Sequence, residues 1–421
     1  MLKILLAFPR PLVPADTGGK IRSLQIFSRL AKRAEVHAIS LANPDTDAAG
    51  MAEMHRMFAS YTPVTWKESV KYSGQFYREL LANQFSPLPY FIAKCCMPEF
   101  IGALKSQTET GKCDLLFCDF LQTAAPALNL PMRPRVVFEH NVEYLLRKRQ
   151  WQTETAPLKK MIFSSEWKKT LKIETRICQS FDHVIAVSDE DRRMFEKDLG
   201  AKEVSTIPTG VDGEYFQPLP VPQVAGRLAF VGSMDWYPNE DGVIWFIREV
   251  YPRIRAAVPG ASFEVIGRNP PAPVKAAAAA EQGITLTGRV DDVRPHLAEA
   301  EVVVVPLRVG GGTRIKIPEA MAMAKAVIST TIGAEGLPFR DAHELRLADE
   351  PEAFARAVSE LLLDSGRRNA IETAARERVL RDHDWQSVVD KVEATLAAVK
   401  EKAATGTLAP ASDYATAARE S

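Results

Sequence analysis

The chain has 421 residues, enough for two or three domains, and its 53 Lys and Arg balance its 53 Asp and Glu. That balance argues against a polycation built for nucleic acid, and no nucleic-acid partner is read from it. The five cysteines include the adjacent Cys95 and Cys96 and a lone C-x4-C at Cys113 and Cys118, a pattern of reduced thiols rather than a disulfide frame or zinc site.

The opening run MLKILLAFP is too short, and too soon ended by prolines, for a signal peptide. It reads as a buried strand over 2–8. Residues 18–34 follow as a helix, with Ile21, Leu24, Phe27 and Leu30 near one face. Apolar runs at 35–42, 114–119, 135–140 and 183–188 read as further strands, dense enough in Val, Ile and Leu for a parallel sheet covered on both sides. The proline-rich stretch 217–227 reads as a hinge.

The pattern then restarts. Strands are expected at 228–232, 262–267, 284–288, 302–306 and 326–330, with helices at 241–257, 273–282, 292–300, 315–325 and 351–399. The fold class is therefore α/β: two Rossmann-like doubly wound domains facing across a cleft. Their expected bounds are 1–216 and 228–384, with a closing helix at 385–400 and a disordered tail at 401–421. No apolar run of about 18 residues occurs, so no transmembrane helix is expected.

The most informative stretch is VVVVPLRVGGGTRIKIPEAMAMAKAVIST, residues 302–330. Gly310, Gly311 and Gly312 let the backbone approach a ligand, with Thr313 beside them. Arg314 and Lys316 add two cations at a helix start, a combination suited to a diphosphate. Pro318 sits in the first turn, where its missing N–H costs nothing. Glu319 would be repelled by phosphate and so suits neutral hydroxyls such as those of ribose; its simpler reading is a first-turn acid that complements the helix dipole.

In the first half, PADTGGKIRSL places Gly18 and Gly19 before a helix whose first turn carries Lys20 and Arg22. This is not G-x-G-x-x-G, so a nicotinamide oxidoreductase is disfavoured. His140, followed by Asn141, stands at the carboxyl end of a strand, where ligands of such sheets bind. His183 reads as a strand opener. The adjacent acids Asp291 and Asp292 invite a metal reading. Residues 147–176 hold nine Lys or Arg against three Glu, interleaved with Trp151, Met161 and Trp167, and 72–104 is rich in aromatics. Such segments either form a solvated face or lie on anionic lipid.

The 302–330 stretch resembles the donor-site signature of the family 4 retaining glycosyltransferases of GT-B fold, in the form GGGTR.K..EAMA seen in bacterial exopolysaccharide-associated members. IPTGVDGEYFQP (207–218), GRVDDVRPHLAEAEVVVVP (288–306) and DHDWQSVVDKVEATL (382–396) are similar to other segments of that family. There are departures. Of the family's two glutamates eight positions apart, Glu319 matches the second and Gly311 replaces the first. The Arg and Lys that members carry after the first strand of the second domain are missing from VGSMDWYPNEDG (231–242).

The resemblance implies a transferase that moves a sugar from a UDP- or GDP-sugar to an acceptor hydroxyl, with retention and without metal or cofactor. Gly18, Gly19, Gly232, Gly310, Gly311, Gly312, Thr313, Arg314, Lys316 and Glu319 would contact the donor. Lys20, Arg22 and Asn141 would contact a glycan or lipid-linked acceptor. His140, Arg314 and Lys316 would serve catalysis. The setting would be cytoplasmic, at the inner face of a membrane approached by 72–104 and 147–176. A GT-B nucleotide-sugar epimerase and a noncatalytic scaffold are the alternatives.

Overall fold

A computed structural model describes residues 1–15, 17–70, 73–154, 156–309 and 315–408. The chain divides into two compact units, Met1–Pro208 with Val388 onward, and Thr209–Ser387.

The first unit holds seven strands: β1 (Lys3–Phe8), β2 (Glu35–Ala42), β3 (Ser60–Thr65), β4 (Leu115–Asp119), β5 (Arg135–Phe138), β6 (His183–Ala186) and β7 (Val204–Thr206). They form one parallel sheet in the order β3-β2-β1-β4-β5-β6-β7. All residues of β4 and β5 are buried, as expected where helices cover both faces. The second unit holds β8 (Arg227–Val231), β9 (Ser262–Ile266), β10 (Ile284–Gly288), β11 (Val302–Val305), β12 (Ala326–Ser329) and β13 (Arg346–Leu347). Their order, β10-β9-β8-β11-β12-β13, is again parallel and doubly wound. In each sheet the strand order reverses beside the first strand, and ligands of such sheets bind beyond the strand ends at that point.

Several expectations are corrected. The stretch 217–227 lies inside the second unit: Leu219 and Val221 pack on its core, and the Val224 N–H donates to Glu299 O at 2.8 Å. Its apolar side chains gain more by burial than a free linker would allow. The helical region 351–399 is three helices, Pro351–Leu363, Ser365–Asp382 and Trp385–Ala404. The last begins in the second unit and runs into the first, where Asp390 pairs with Arg33 and Lys400 with Asp114. It carries helix into the expected tail as far as Ala404; residues 409–421 lie outside the described residues. Helix Gly18–Leu30 buries Arg22, Ser23, Ile26, Phe27 and Leu30, a face rotated from the one expected. The five cysteines are free thiols.

Candidate functional site

At the switch point of the first sheet, β4 ends in Asp119 and β5 leads into Glu139 and His140. Asp119 Oδ1 lies 2.7 Å from His140 Nε2, and its Oδ2 accepts from Ser23 Oγ at 2.6 Å. A carboxylate accepts only, so the imidazole carries its proton on Nε2. Burial lowers the His140 pKa against the opposing pull of Asp119, and the ring is neutral. Phe120 stacks on it with centroids 3.8 Å apart, and Phe138 lies 4.7 Å away. Phe120 takes φ 72°, a left-handed backbone rare for an aromatic residue, and from there its ring covers the imidazole. A Cβ at Gly19 would meet Phe120 Cζ at 2.8 Å, which is why the second position of this helix is glycine. His140 Nδ1 is buried with no hydrogen-bond partner among the described residues.

Arg22 does not reach out toward an acceptor. It is fully buried, donates from Nη2 to Ile207 O, and lies 4.3 Å over the Phe138 ring. Burial pushes its pKa down to about 9 against Asp119 and Asp191. Helical spacing shows why: Arg22 stands one turn before Ile26 on the inward face. Gly18 opens the helix, Thr17 Oγ1 accepts from the Lys20 N–H at 3.4 Å, and Lys20 Nζ donates to Pro14 O at 3.3 Å. Asn141 Nδ2 reaches Glu143 Oε1 at 3.4 Å.

Below His140 is a group of buried acids that sequence reasoning missed. Glu174 accepts the N–H groups of Glu143 and Tyr144 at 2.8 and 2.7 Å, satisfying the start of helix Glu143–Thr153. Burial raises its pKa to about 8, and raises Glu139 well above the ordinary range with help from Glu174.

In the second unit β8 ends at Val231 and Gly232 follows. Lys316, at the start of helix Lys316–Ala322, brings its ammonium to this point: Nζ donates to Asn239 Oδ1 at 2.8 Å and lies 4.3 Å over the Phe230 ring. A Cβ on Gly232 would stand 2.9 Å from Lys316 Nζ and 2.8 Å from Asn239 Nδ2. Arg268, just after β9, reaches Ser233 Oγ at 3.2 Å and Asp235 Oδ2 at 2.9 Å. Two cations thus arrive at the end of β8 from elsewhere in the chain, where the sequence showed none locally. Burial raises the Glu319 pKa to about 8 against Lys316. Gly310, Gly311, Gly312, Thr313 and Arg314 lie outside the described residues. His183 opens β6 and meets Ser205 Oγ at 2.9 Å, and Asp292 is held by Arg294.

A family model described as Glycosyltransferase Family 4 matches residues 18–215, and one described as Glycosyl transferases group 1 matches 225–364. A GDP-mannose-dependent alpha-(1-6)-phosphatidylinositol monomannoside mannosyltransferase of Mycobacterium tuberculosis is 29% identical over 241 residues, 52% of this chain and 62% of that protein. The match therefore spans about three fifths of that relative's length. An uncharacterized 44.6 kDa protein in the cps region of Klebsiella pneumoniae is 22% identical over 70% of this chain and 80% of its own. Among solved structures, sucrose-phosphate synthase from Thermosynechococcus elongatus superposes with TM-score 0.67 at 16% identity, covering 95% of this chain and 99% of its own. Anabaena HepE in complex with UDP gives TM-score 0.69 at 13% identity, covering 94% and 100%. With two glycosyltransferase family models matched in succession and both parallel sheets in place, the chain has the GT-B fold and is similar to the family 4 glycosyltransferases over most of its length.

Proposed function

We propose that the protein transfers a hexosyl group from a UDP- or GDP-sugar to an acceptor hydroxyl. The bond from the anomeric carbon to the diphosphate breaks, a bond to the acceptor oxygen forms, and the acceptor's proton leaves with a nucleoside diphosphate. The observation that carries this reading is the end of β8, where side-chain-free Gly232 lies beside the Lys316 ammonium. That is a place for diphosphate oxygens, and Lys316 with Arg314 would hold the leaving charge. These cations take the role a metal would have, so the reading invokes neither metal nor cofactor. Glu319 would accept ribose hydroxyls, and His140 in the first unit would serve the sugar side.

Both nucleotides find support: one relative is named for GDP-mannose, and HepE was solved with UDP. Retention follows from the family resemblance. A glycan or lipid-linked acceptor, in exopolysaccharide or lipid-linked glycan assembly at the inner face of a membrane, is supported by a relative named for phosphatidylinositol monomannoside and another in a cps region.

The test is nucleoside diphosphate release from a panel of UDP-, GDP- and ADP-sugars, with membrane extract as acceptor source. Release from one donor, lost in Lys316→Ala and Glu319→Ala, is the expected result. Conversion of a donor to its epimer without release would replace the transferase by an epimerase. Neither turnover nor donor binding would leave a scaffold.

A further inference from the structure

Helix Gly74–Ala82 has no buried residue, although it carries Phe76, Tyr77, Leu80 and Leu81. Tyr77, Leu81 and Phe85 follow at intervals of four, and Leu81 and Phe85 are 63% and 94% exposed. The long helix Pro157–Ser180 buries nothing before Thr170, and near its start Leu158 and Met161 are 68% and 64% exposed. The two segments meet: Lys169 Nζ donates to the carbonyls of Asn83 and Gln84 at 2.8 and 3.2 Å, and the Tyr90 N–H donates to Glu166 at 2.9 Å. Large side chains left in water over two adjoining segments mark a contact surface. The other expected aromatics do not join it. Phe100 is buried, Phe76 packs edge-on against Tyr90, and Trp151 lies 5.8 Å from Trp167.

The charges around this surface have one sign. Among the described residues of both segments, the exposed ionisable side chains are Arg78, Lys159, Lys160, Lys168, Lys172 and Arg176. The acids of the two segments are engaged within the protein: Glu79 accepts from Tyr90 and Ser69, Glu166 takes the Tyr90 N–H, and Glu174 is buried. A symmetric contact with a second copy would set these cations against their own images. An anionic sheet of lipid meets both the cations and the apolar side chains. No described helix is long and apolar enough to cross a membrane, so the contact would be peripheral.

We infer that an anionic lipid bilayer docks on Tyr77, Leu81, Phe85, Leu158 and Met161, held by the surrounding lysines, and that the acceptor reaches the protein from that bilayer. One element joins this surface to the site. Glu174, which fixes the backbone just after His140 and Asn141, sits on the helix that carries Leu158, about 24 Å along its axis. The acceptor half of the inference rests on the transferase reading; the docking half does not.

The full chain is mixed, without donor, with phosphatidylcholine vesicles and with vesicles containing about a third phosphatidylglycerol, then separated by flotation. Binding is expected only to the anionic vesicles. It should fall at least about tenfold in Leu81→Ser/Phe85→Ser and in Lys159→Glu/Lys160→Glu, while nucleoside diphosphate binding stays unchanged. These positions are exposed, so the variants fold. Equal binding to both vesicle types, or retention by both variants, overturns the docking. So does a dimer in sedimentation velocity that the same substitutions dissolve, without vesicle binding. Loss of sugar transfer with docking intact would count against the transferase reading alone.

Discussion

Asp119 Oδ1 stands 2.7 Å from His140 Nε2, with both side chains buried, so one carboxylate decides which nitrogen of the imidazole carries the proton. The same carboxylate takes the Ser23 hydroxyl at 2.6 Å and thereby ties helix Gly18–Leu30 to the end of β4. Asp119→Ala would strand two buried donors, at a cost of about 2–4 kcal/mol. The expected outcome is a lower urea midpoint for Asp119→Ala and a smaller loss for Asp119→Asn, whose amide oxygen still accepts. Nitrogen-15 shifts of His140 should report the Nε2–H tautomer in the wild type and a mixture in the Asn variant. An unchanged tautomer in Asp119→Ala would show that Phe120 and Phe138 alone fix the ring.

Gly232 and Lys316 are 84 positions apart in sequence, yet a methyl on one would touch the ammonium of the other. Gly232→Ala should displace Lys316 Nζ and weaken nucleoside diphosphate binding. The loss should approach that of Lys316→Ala, about 10- to 100-fold for one charge-assisted contact. Stability should fall as well, because the lysine end moves readily but the new methyl also meets the buried Asn239 amide, whose Nδ2 donates to Ser233 O at 2.7 Å. Calorimetric titration with UDP and GDP checks both. If Gly232→Ala binds as the wild type does, the diphosphate lies elsewhere.

Much of this architecture is legible in the amino-acid sequence. The continuous apolar runs of β1, β4, β5, β8, β11 and β12 announce strands buried on both faces. The strands missed were β3, SYTPVT, and the very short β7 and β13, edge strands that owe their state to a neighbour rather than to their own composition. Gly19 and Lys316 stand out in local sequence, and Gly232 only through the family resemblance. The Asp119–His140 pair could not, because nothing in LLFCD says which distant ring its last residue meets. The charge of Arg22 suggests an outward role, but the spacing of Arg22, Ile26 and Leu30 places it on the buried side.

Glu319 offers a pH test. Burial raises its pKa from 4.5 to about 8, so without ligand it is largely protonated at neutral pH. Ribose hydroxyls donating to it favour the ionised form, so donor binding should release a proton. Affinity should then rise as pH increases from about 6.5 through about 8. Titration in two buffers of different ionisation enthalpy measures the proton count. Glu319→Gln should bind more weakly and lose the pH dependence. Proton uptake instead of release would place Glu319 beside phosphate.

Glu174 couples pH to stability rather than to binding. Its ordinary value of 4.5 rises to about 8 on burial, even though two backbone N–H groups favour its charged form. Between those values the folded chain holds a proton that the unfolded chain has released. Stability is therefore fullest below about pH 4.5 for this group and declines as pH climbs toward 8. Glu139, raised in the same direction and facing Glu174, steepens the decline. Glu174→Gln removes the titration but leaves one N–H opposite an amide NH2, a cost of about 1–2 kcal/mol at pH 5.5. Trp167 lies two turns earlier on the same helix and 5.8 Å from Trp151, so tryptophan fluorescence follows this region as it unfolds. Urea midpoints from pH 5.5 to 8.5 should fall more steeply for the wild type than for Glu174→Gln, and the two lines should converge at the alkaline end. Parallel lines would mean that Glu174 stays ionised throughout and that its two N–H groups outweigh its burial.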